Sequence, residues 1–108
     1  MGAFTAGQIV ILPFPFSDLT RQKNRPALVL ADAGKGDWIL CQITSNPFSD
    51  DRAVELDQND FSAGSLQRIS FARPGKLFTA NDSLFSGSMG QLTQDSFHKV
   101  IHAVLQAG

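Results

Sequence analysis

Two short stretches hold the residues best suited to chemistry on an anion. In Asn24-Arg25-Pro26-Ala27-Leu28-Val29-Leu30 a single arginine stands at the mouth of an almost wholly apolar run, and in Gln42-Ile43-Thr44-Ser45 two hydroxyls close another. A guanidinium is planar and cationic, and it can grip a phosphate with two parallel N–H donors. A threonine hydroxyl both donates and accepts. Pro26 biases Arg25 towards an extended backbone, which fixes the arginine at a strand end rather than on a loose loop. A solvated head is the ordinary fate of a lone arginine, so its company decides.

That company is partly electrostatic. The chain has 108 residues and a formal net charge of −1, which argues against a generally basic nucleic-acid binder. The distribution says more. Of the nine lysines and arginines, six fall in two segments free of acids: Arg21, Lys23 and Arg25, then Arg68, Arg73 and Lys76. If the two segments meet in space, they form one local anion site on an otherwise acidic body.

Other candidates are weaker. His98 and His102 stand one helical turn apart, but no third ligand accompanies them and no metalloprotease pattern surrounds them, so a solvated helix edge is expected and no metal. Gly34-Lys35-Gly36 is too short for a phosphate loop. Cys41 lies in an apolar run and reads as inert core. No nucleophile-elbow motif is present. Phe14, Phe16 and Phe48 could stack on bases, though anchoring loops to the core is the plainer reading.

The elements that must position Arg25 and Thr44 follow from the pattern. The length fits one domain spanning 1–108, with a core large enough to need no disulfide. The single cysteine suits a reducing compartment, and no apolar run is long enough to span a membrane, so the cytoplasm is expected. Residues 8–12 read as a first strand, ended by Pro13-Phe14-Pro15-Phe16. Residues 27–31 read as a second strand and 38–44 as a third, with Asp32–Asp37 as the turn between them. Residues 53–56 form a short strand and 57–64 a polar connection holding Phe61. Residues 65–71 alternate, with Leu66, Arg68 and Ser70 on one side. Arg73-Pro74-Gly75 is expected to kink or end that strand before another at 76–79, and 84–92 is weakly strand-like, broken by Gly87 and Gly90. Thr93 caps a final helix whose face is Phe97, Val100, Ile101, Val104 and Leu105. The whole is mainly β: a small barrel of strongly bent antiparallel strands with a C-terminal amphipathic helix. If the second and third strands form a hairpin, the start of one lies beside the end of the other, and Arg25 and Thr44 become neighbours.

Taken in order, Gly7-Gln8-Ile9-Val10, Pro13-Phe14-Pro15-Phe16-Ser17-Asp18-Leu19, Arg25-Pro26-Ala27-Leu28-Val29-Leu30 and Gln42-Ile43-Thr44-Ser45 resemble the PemK/MazF family of toxins. Asp60-Phe61, Ser70-Phe71-Ala72-Arg73 and Lys76-Leu77-Phe78-Thr79 extend the resemblance over nearly the whole chain. It implies an SH3-like barrel, a homodimer, and a toxin-type endoribonuclease that cleaves single-stranded RNA without metal or other cofactor and is inhibited by a cognate antitoxin. The family's catalytic arginine maps onto Arg25 and its catalytic threonine or serine onto Thr44. Ser45, Arg73, Lys76, Arg21 and Lys23 would then bind RNA. Some members carry an acid two residues after an arginine in the later strand region; here that place reads Arg73-Pro74-Gly75, which leaves the proton-transfer partner open. The alternative within this fold is a non-catalytic binder, either a gyrase poison like CcdB or a solitary toxin that has lost cleavage. The end Leu105-Gln106-Ala107-Gly108 lacks the Trp-Gly-Ile that a CcdB-like poison uses.

Overall fold

The computed structural model describes residues 4–13, 24–46, 51–66 and 68–107. They form a seven-stranded, wholly antiparallel sheet and one helix. The strands are β1 (Gln8–Pro13), β2 (Asn24–Gly34), β3 (Asp37–Thr44), β4 (Val54–Leu56), β5 (Phe61–Gly64), β6 (Ser70–Asn81) and β7 (Gly87–Leu92), and the helix is α1 (Gln94–Ala107). Across the sheet the order is β4-β6-β3-β2-β1-β7-β5. The sheet curls into a half-barrel with α1 laid against β6 and β4, which is the mainly β architecture expected from the sequence.

The apolar runs of β1 to β3 arise because these central strands are buried on both faces. On one face Ile9, Leu28, Cys41 and Ile43 form a core closed by Phe97, Val100, Ile101 and Val104 of α1. On the other, Val10, Val29 and Leu40 are closed by Trp38, Phe4, Phe78 and Phe85. Leu105, expected on the buried face of α1, is instead 73% exposed, because it falls beyond the part of the helix that the sheet covers.

β2 is longer than the apolar run at both ends, and its turn with β3 is only Lys35-Gly36. Lys35 (φ 57°) and Gly36 (φ 83°) both occupy the left-handed region that a two-residue hairpin turn demands. Two other expectations are corrected and a third is decided. The polar connection 57–64 contains a 3-10 turn, Gln58–Asp60, and then β5, a strand too short and exposed to show alternation. Of the two outcomes expected at Arg73-Pro74-Gly75, a kink or an end, the strand takes the first: β6 runs through it, and the register with β3 jumps from Ile43↔Ala72 to Cys41↔Leu77, so residues 73–76 bulge opposite Gln42. A bulge is where a strand can hold a proline, which has no N–H for the ladder. The strand expected over 84–92 begins only at Gly87, after a 3-10 turn at Asp82–Leu84, and Gly90 does not break it: β5 packs so closely there that a Cβ would stand 2.5 Å from the Ala63 carbonyl oxygen.

Asp60 ties the 3-10 turn to the helix. Its carboxylate accepts from the Ser96 hydroxyl at 2.5 Å and from the Asp57 N–H at 2.8 Å, and Lys99 stands 4.0 Å away. Burial pushes the Asp60 carboxyl up, but these partners outweigh it and hold it below the usual aspartate value. Thr93 caps α1, its Oγ1 accepting from the Ser96 N–H at 3.1 Å.

Candidate functional site

β1, β2 and β3 end together at one edge of the half-barrel. Leu12 of β1 pairs with Arg25 of β2, and Thr44 of β3 pairs with Phe71 of β6. The β2–β3 ladder runs Val29↔Leu40, Leu28↔Cys41, Ala27↔Gln42, and two more steps at that register set Arg25 opposite Thr44. Residues directly opposite in a sheet share a face. Continued two steps beyond its last pair, that register brings Leu12, Arg25, Thr44 and Phe71 into line across four strands.

Arg25 and Thr44 line a single hollow of about 370 Å³ together with Ser45 and Asn24. Its apolar wall is Ile11, Pro26, Ile43 and Met89. Leu66, Arg68 and Ser70 complete it, the three residues that alternation places on one side, although the strand proper begins only at Ser70. Thus the two basic segments do meet, through Arg25 and Arg68. Arg25 is partly buried, as expected of a side chain rooted at a strand end, and Arg68 is exposed.

The Thr44 hydroxyl is oriented locally. Oγ1 accepts from the Asn46 N–H at 3.1 Å and donates to the Asn46 carbonyl at 3.2 Å. The first bond fixes the oxygen; the second uses the proton on an exposed carbonyl that water can satisfy equally well. A phosphate oxygen in the hollow can therefore take that proton at little cost.

The remaining candidates lie apart. Lys76 lines a separate hollow with Gln42, Gly75 and Phe78 at the β6 bulge. Arg73 is partly buried in that bulge and accepts at its carbonyl from Cys41 Sγ, 3.1 Å away. Neither lines the hollow of Arg25. His98 and His102 open on another surface, beside Asp95, Lys99 and Val54. Arg21, Lys23, Phe14, Phe16 and Phe48 lie outside the described residues. Among the described residues, none lining the Arg25 hollow carries a carboxylate or an imidazole, and no three His, Cys, Asp or Glu side chains converge as a metal site. Among the described residues no helix is long and apolar enough to cross a membrane. Asn24 as a wall residue was not foreseen, because nothing in its local sequence separates it from other surface polar residues.

The same fold recurs in known structures. An endoribonuclease from Mycobacterial species, solved with its cognate antitoxin, superposes with a TM-score of 0.74 at 14% identity, over 99% of this chain and 94% of that one. MazF from Deinococcus radiodurans gives 0.74 at 20% identity over 98% and 96%. The Mycobacterium tuberculosis toxin MazF-mt6 gives 0.72 at 17% identity over 93% and 94%. At such identities the likeness establishes the fold. Among curated protein sequences none matches this chain significantly. The sequence itself matches, over residues 5–107, the family described as PemK-like, MazF-like toxin of type II toxin-antitoxin system. With that match spanning nearly all of the half-barrel and its Arg25–Thr44 edge, the chain belongs to the PemK/MazF-like toxin family.

Proposed function

We propose that this protein is a toxin endoribonuclease that cleaves single-stranded RNA by attack of the substrate's own 2′-hydroxyl, without a metal. The observation that carries the reading is the convergence of Arg25, Thr44 and Ser45 on one hollow in a member of this family. RNA brings its nucleophile with it, so the protein need only align the attack, stabilise charge and let protons move. The 2′-oxygen bonds to the adjacent phosphorus as its proton leaves; the bond to the 5′-oxygen breaks and that oxygen is protonated. The products are a 2′,3′-cyclic phosphate and a 5′-hydroxyl.

Arg25 would donate two N–H bonds to the non-bridging oxygens, whose charge grows in the transition state. Thr44, held by the Asn46 N–H, would turn its proton from the Asn46 carbonyl to the same phosphate. Ser45 would contact the adjoining backbone. Lys76 and Arg73, with Arg21 and Lys23, would meet phosphates farther along. A homodimer is supported by apolar side chains left in solvent, Leu84 at 50% and Leu105 at 73%. A cytoplasmic toxin held in check by a cognate antitoxin would complete the picture; the similar structures include an endoribonuclease with its cognate antitoxin and a MazE–MazF pair.

The test is cleavage of a fluorescent single-stranded RNA in EDTA, with end-group analysis of the products. Cyclic-phosphate ends at an undiminished rate are expected, from a protein that light scattering weighs as a dimer. Loss of cleavage in EDTA with recovery in magnesium would refute the mechanism. Binding without any cleavage would favour the other reading, a retained groove without catalysis, to which the lack of an acid among the described residues of the hollow lends weight.

A further inference from the structure

We infer that Arg68 is a second phosphate-binding cation of this site, holding the RNA backbone where it leaves the Arg25–Thr44 hollow. The inference rests on the endoribonuclease reading above and adds a residue and a direction to it. Arg68 lines the same hollow as Arg25. Two guanidiniums around one space of about 370 Å³ repel one another unless an anion lies between them. A structural cation normally comes with its counter-charge, as Lys99 does with Asp60. Among the described residues no carboxylate lines the hollow, and neither Arg25 nor Arg68 has an ion-pair partner. What the wall offers besides the two cations is neutral donors, Thr44, Ser45, Ser70 and Asn24. Two forked cations with hydroxyl and amide donors between them form a receptor for phosphodiester oxygens.

Arg68 also marks a direction. With Leu66 it forms the shared wall between this hollow and a second, of about 250 Å³, whose other sides are Leu56, Asp57, Gln58, Phe61 and Ile69, so that one carboxylate, Asp57, faces the far space while none lines the first among the described residues. A chain whose scissile phosphate sits at Arg25 can pass beside Arg68 into that second space. There Phe61 and Ile69 offer an apolar floor, and the Gln58 amide can both donate to and accept from a base edge. Arg68 would then hold the phosphate joining the two spaces. It would bind the ground state and the transition state alike, so its loss should weaken binding more than it slows the chemical step.

The experiment measures binding of a fluorescent 2′-O-methyl RNA, which lacks the nucleophile and so cannot be cut, by anisotropy over a salt series. Single-turnover cleavage of the matching RNA is followed in parallel. For wild type, log K falls with log salt at about −0.7 per phosphate contact on a single strand. Arg68→Gln should reduce the magnitude of that slope by about 0.7, one contact's worth, and raise the protein concentration needed for half-maximal single-turnover rate, with the saturated rate near wild type. Arg68→Lys should keep the slope, because the charge is retained. Lys35→Gln, at the far turn of the hairpin, should change neither quantity. A wild-type protein that binds and cuts RNA while Arg68→Gln keeps the full slope overturns this inference and leaves the Arg25–Thr44 reading standing. If Arg68→Lys loses the slope as Arg68→Gln does, Arg68 acts through packing rather than charge, and the inference again fails. A wild type that neither binds nor cuts overturns both readings.

Discussion

If Arg25 and Thr44 serve one phosphate, removing each should slow cleavage by an amount that its bond predicts. Arg25→Ala deletes a forked cationic donor aimed at developing charge. Loss of one such preorganised donor costs about 3–4 kcal/mol, or about 10²–10³ in rate. Thr44→Val keeps the shape and removes one hydroxyl donor to a charged acceptor, worth about 1.5–3 kcal/mol, or about 10- to 150-fold. The folded state adds two controls. Leu12, 1% exposed, pairs with Arg25 across β1 and β2, so truncating the arginine risks uncovering core. Arg25→Lys keeps most of the stem and the charge but not the fork, and it should still lose about tenfold or more. Thr44 holds the Asn46 N–H, so Thr44→Val also loosens that turn; Thr44→Ser keeps both bonds and should cut within a few-fold of wild type. Because both side chains act on one group, the double variant Arg25→Ala with Thr44→Val should lose less free energy than the two singles combined. Single-turnover cleavage of a fluorescent RNA reads the rates, with circular dichroism as the fold control. An Arg25→Ala protein that folds and cuts at the wild-type rate refutes the assigned site, and a Thr44→Ser protein as slow as Thr44→Val refutes the role of the hydroxyl.

Two predictions concern the frame around the site. Asp60 has its carboxyl held below the ordinary aspartate value, so its stabilising contribution is present above about pH 4 and lost as pH falls through the lower folded-state value. Asp60→Asn cannot accept from the Ser96 hydroxyl and the Asp57 N–H through two charged oxygens; it should cost about 2 kcal/mol near neutrality and flatten the acid limb of a urea-melt series, whereas an unchanged acid limb would show that Asp60 is not the group responsible. Gly64 has φ +68°, and a Cβ there would stand 2.2 Å from the Met89 carbonyl oxygen and 2.7 Å from Gly90 Cα, all backbone of β7. Gly64→Ala should destabilise by about 2–4 kcal/mol, left-handed strain plus overpacking, and a thermal melt that coincides with wild type would refute the close β5–β7 approach.

Much of the fold was legible because it is written in period and punctuation. The apolar runs of β1 to β3 announce strands buried on both faces, and Thr93 announces the helix it caps. What escaped was whatever depends on a partner strand. β5 has four residues, mostly exposed, and exists because β7 lies beside it. Gly90 reads as a breaker in the sequence and is a contact in the fold, admitting the Ala63 carbonyl where a side chain would forbid it. Pro74 reads as a kink or a strand end, and a bulge holds it within β6 while Arg73 and Lys76 are carried away from the Arg25 hollow. The basic segment 68–76 therefore divides: its first arginine joins the site, and the other two cations do not line it.

The placing of Arg25 beside Thr44, two steps past the last β2–β3 pair, shows how narrowly such a site can be set. Counting back pair by pair from Gly34↔Asp37 at the turn would place Arg25 opposite Asn46, not Thr44. Two irregularities, between Asp32 and Gly34 and between Val29 and Ala31, each move the register by one residue. One such step alone would send every following side chain to the opposite face. Two restore the faces, keep Leu28 and Cys41 in the core beneath α1, and carry Thr44 into the row of Arg25. Asn46 then falls beyond the strand, where its N–H is free to orient the Thr44 oxygen. The left-handed Lys35-Gly36 turn and the two bulges lie at the far end of the hairpin from the hollow. They nevertheless decide which hydroxyl meets the arginine, so a substitution that removed one bulge without the other would displace Thr44 from Arg25 while leaving both residues intact.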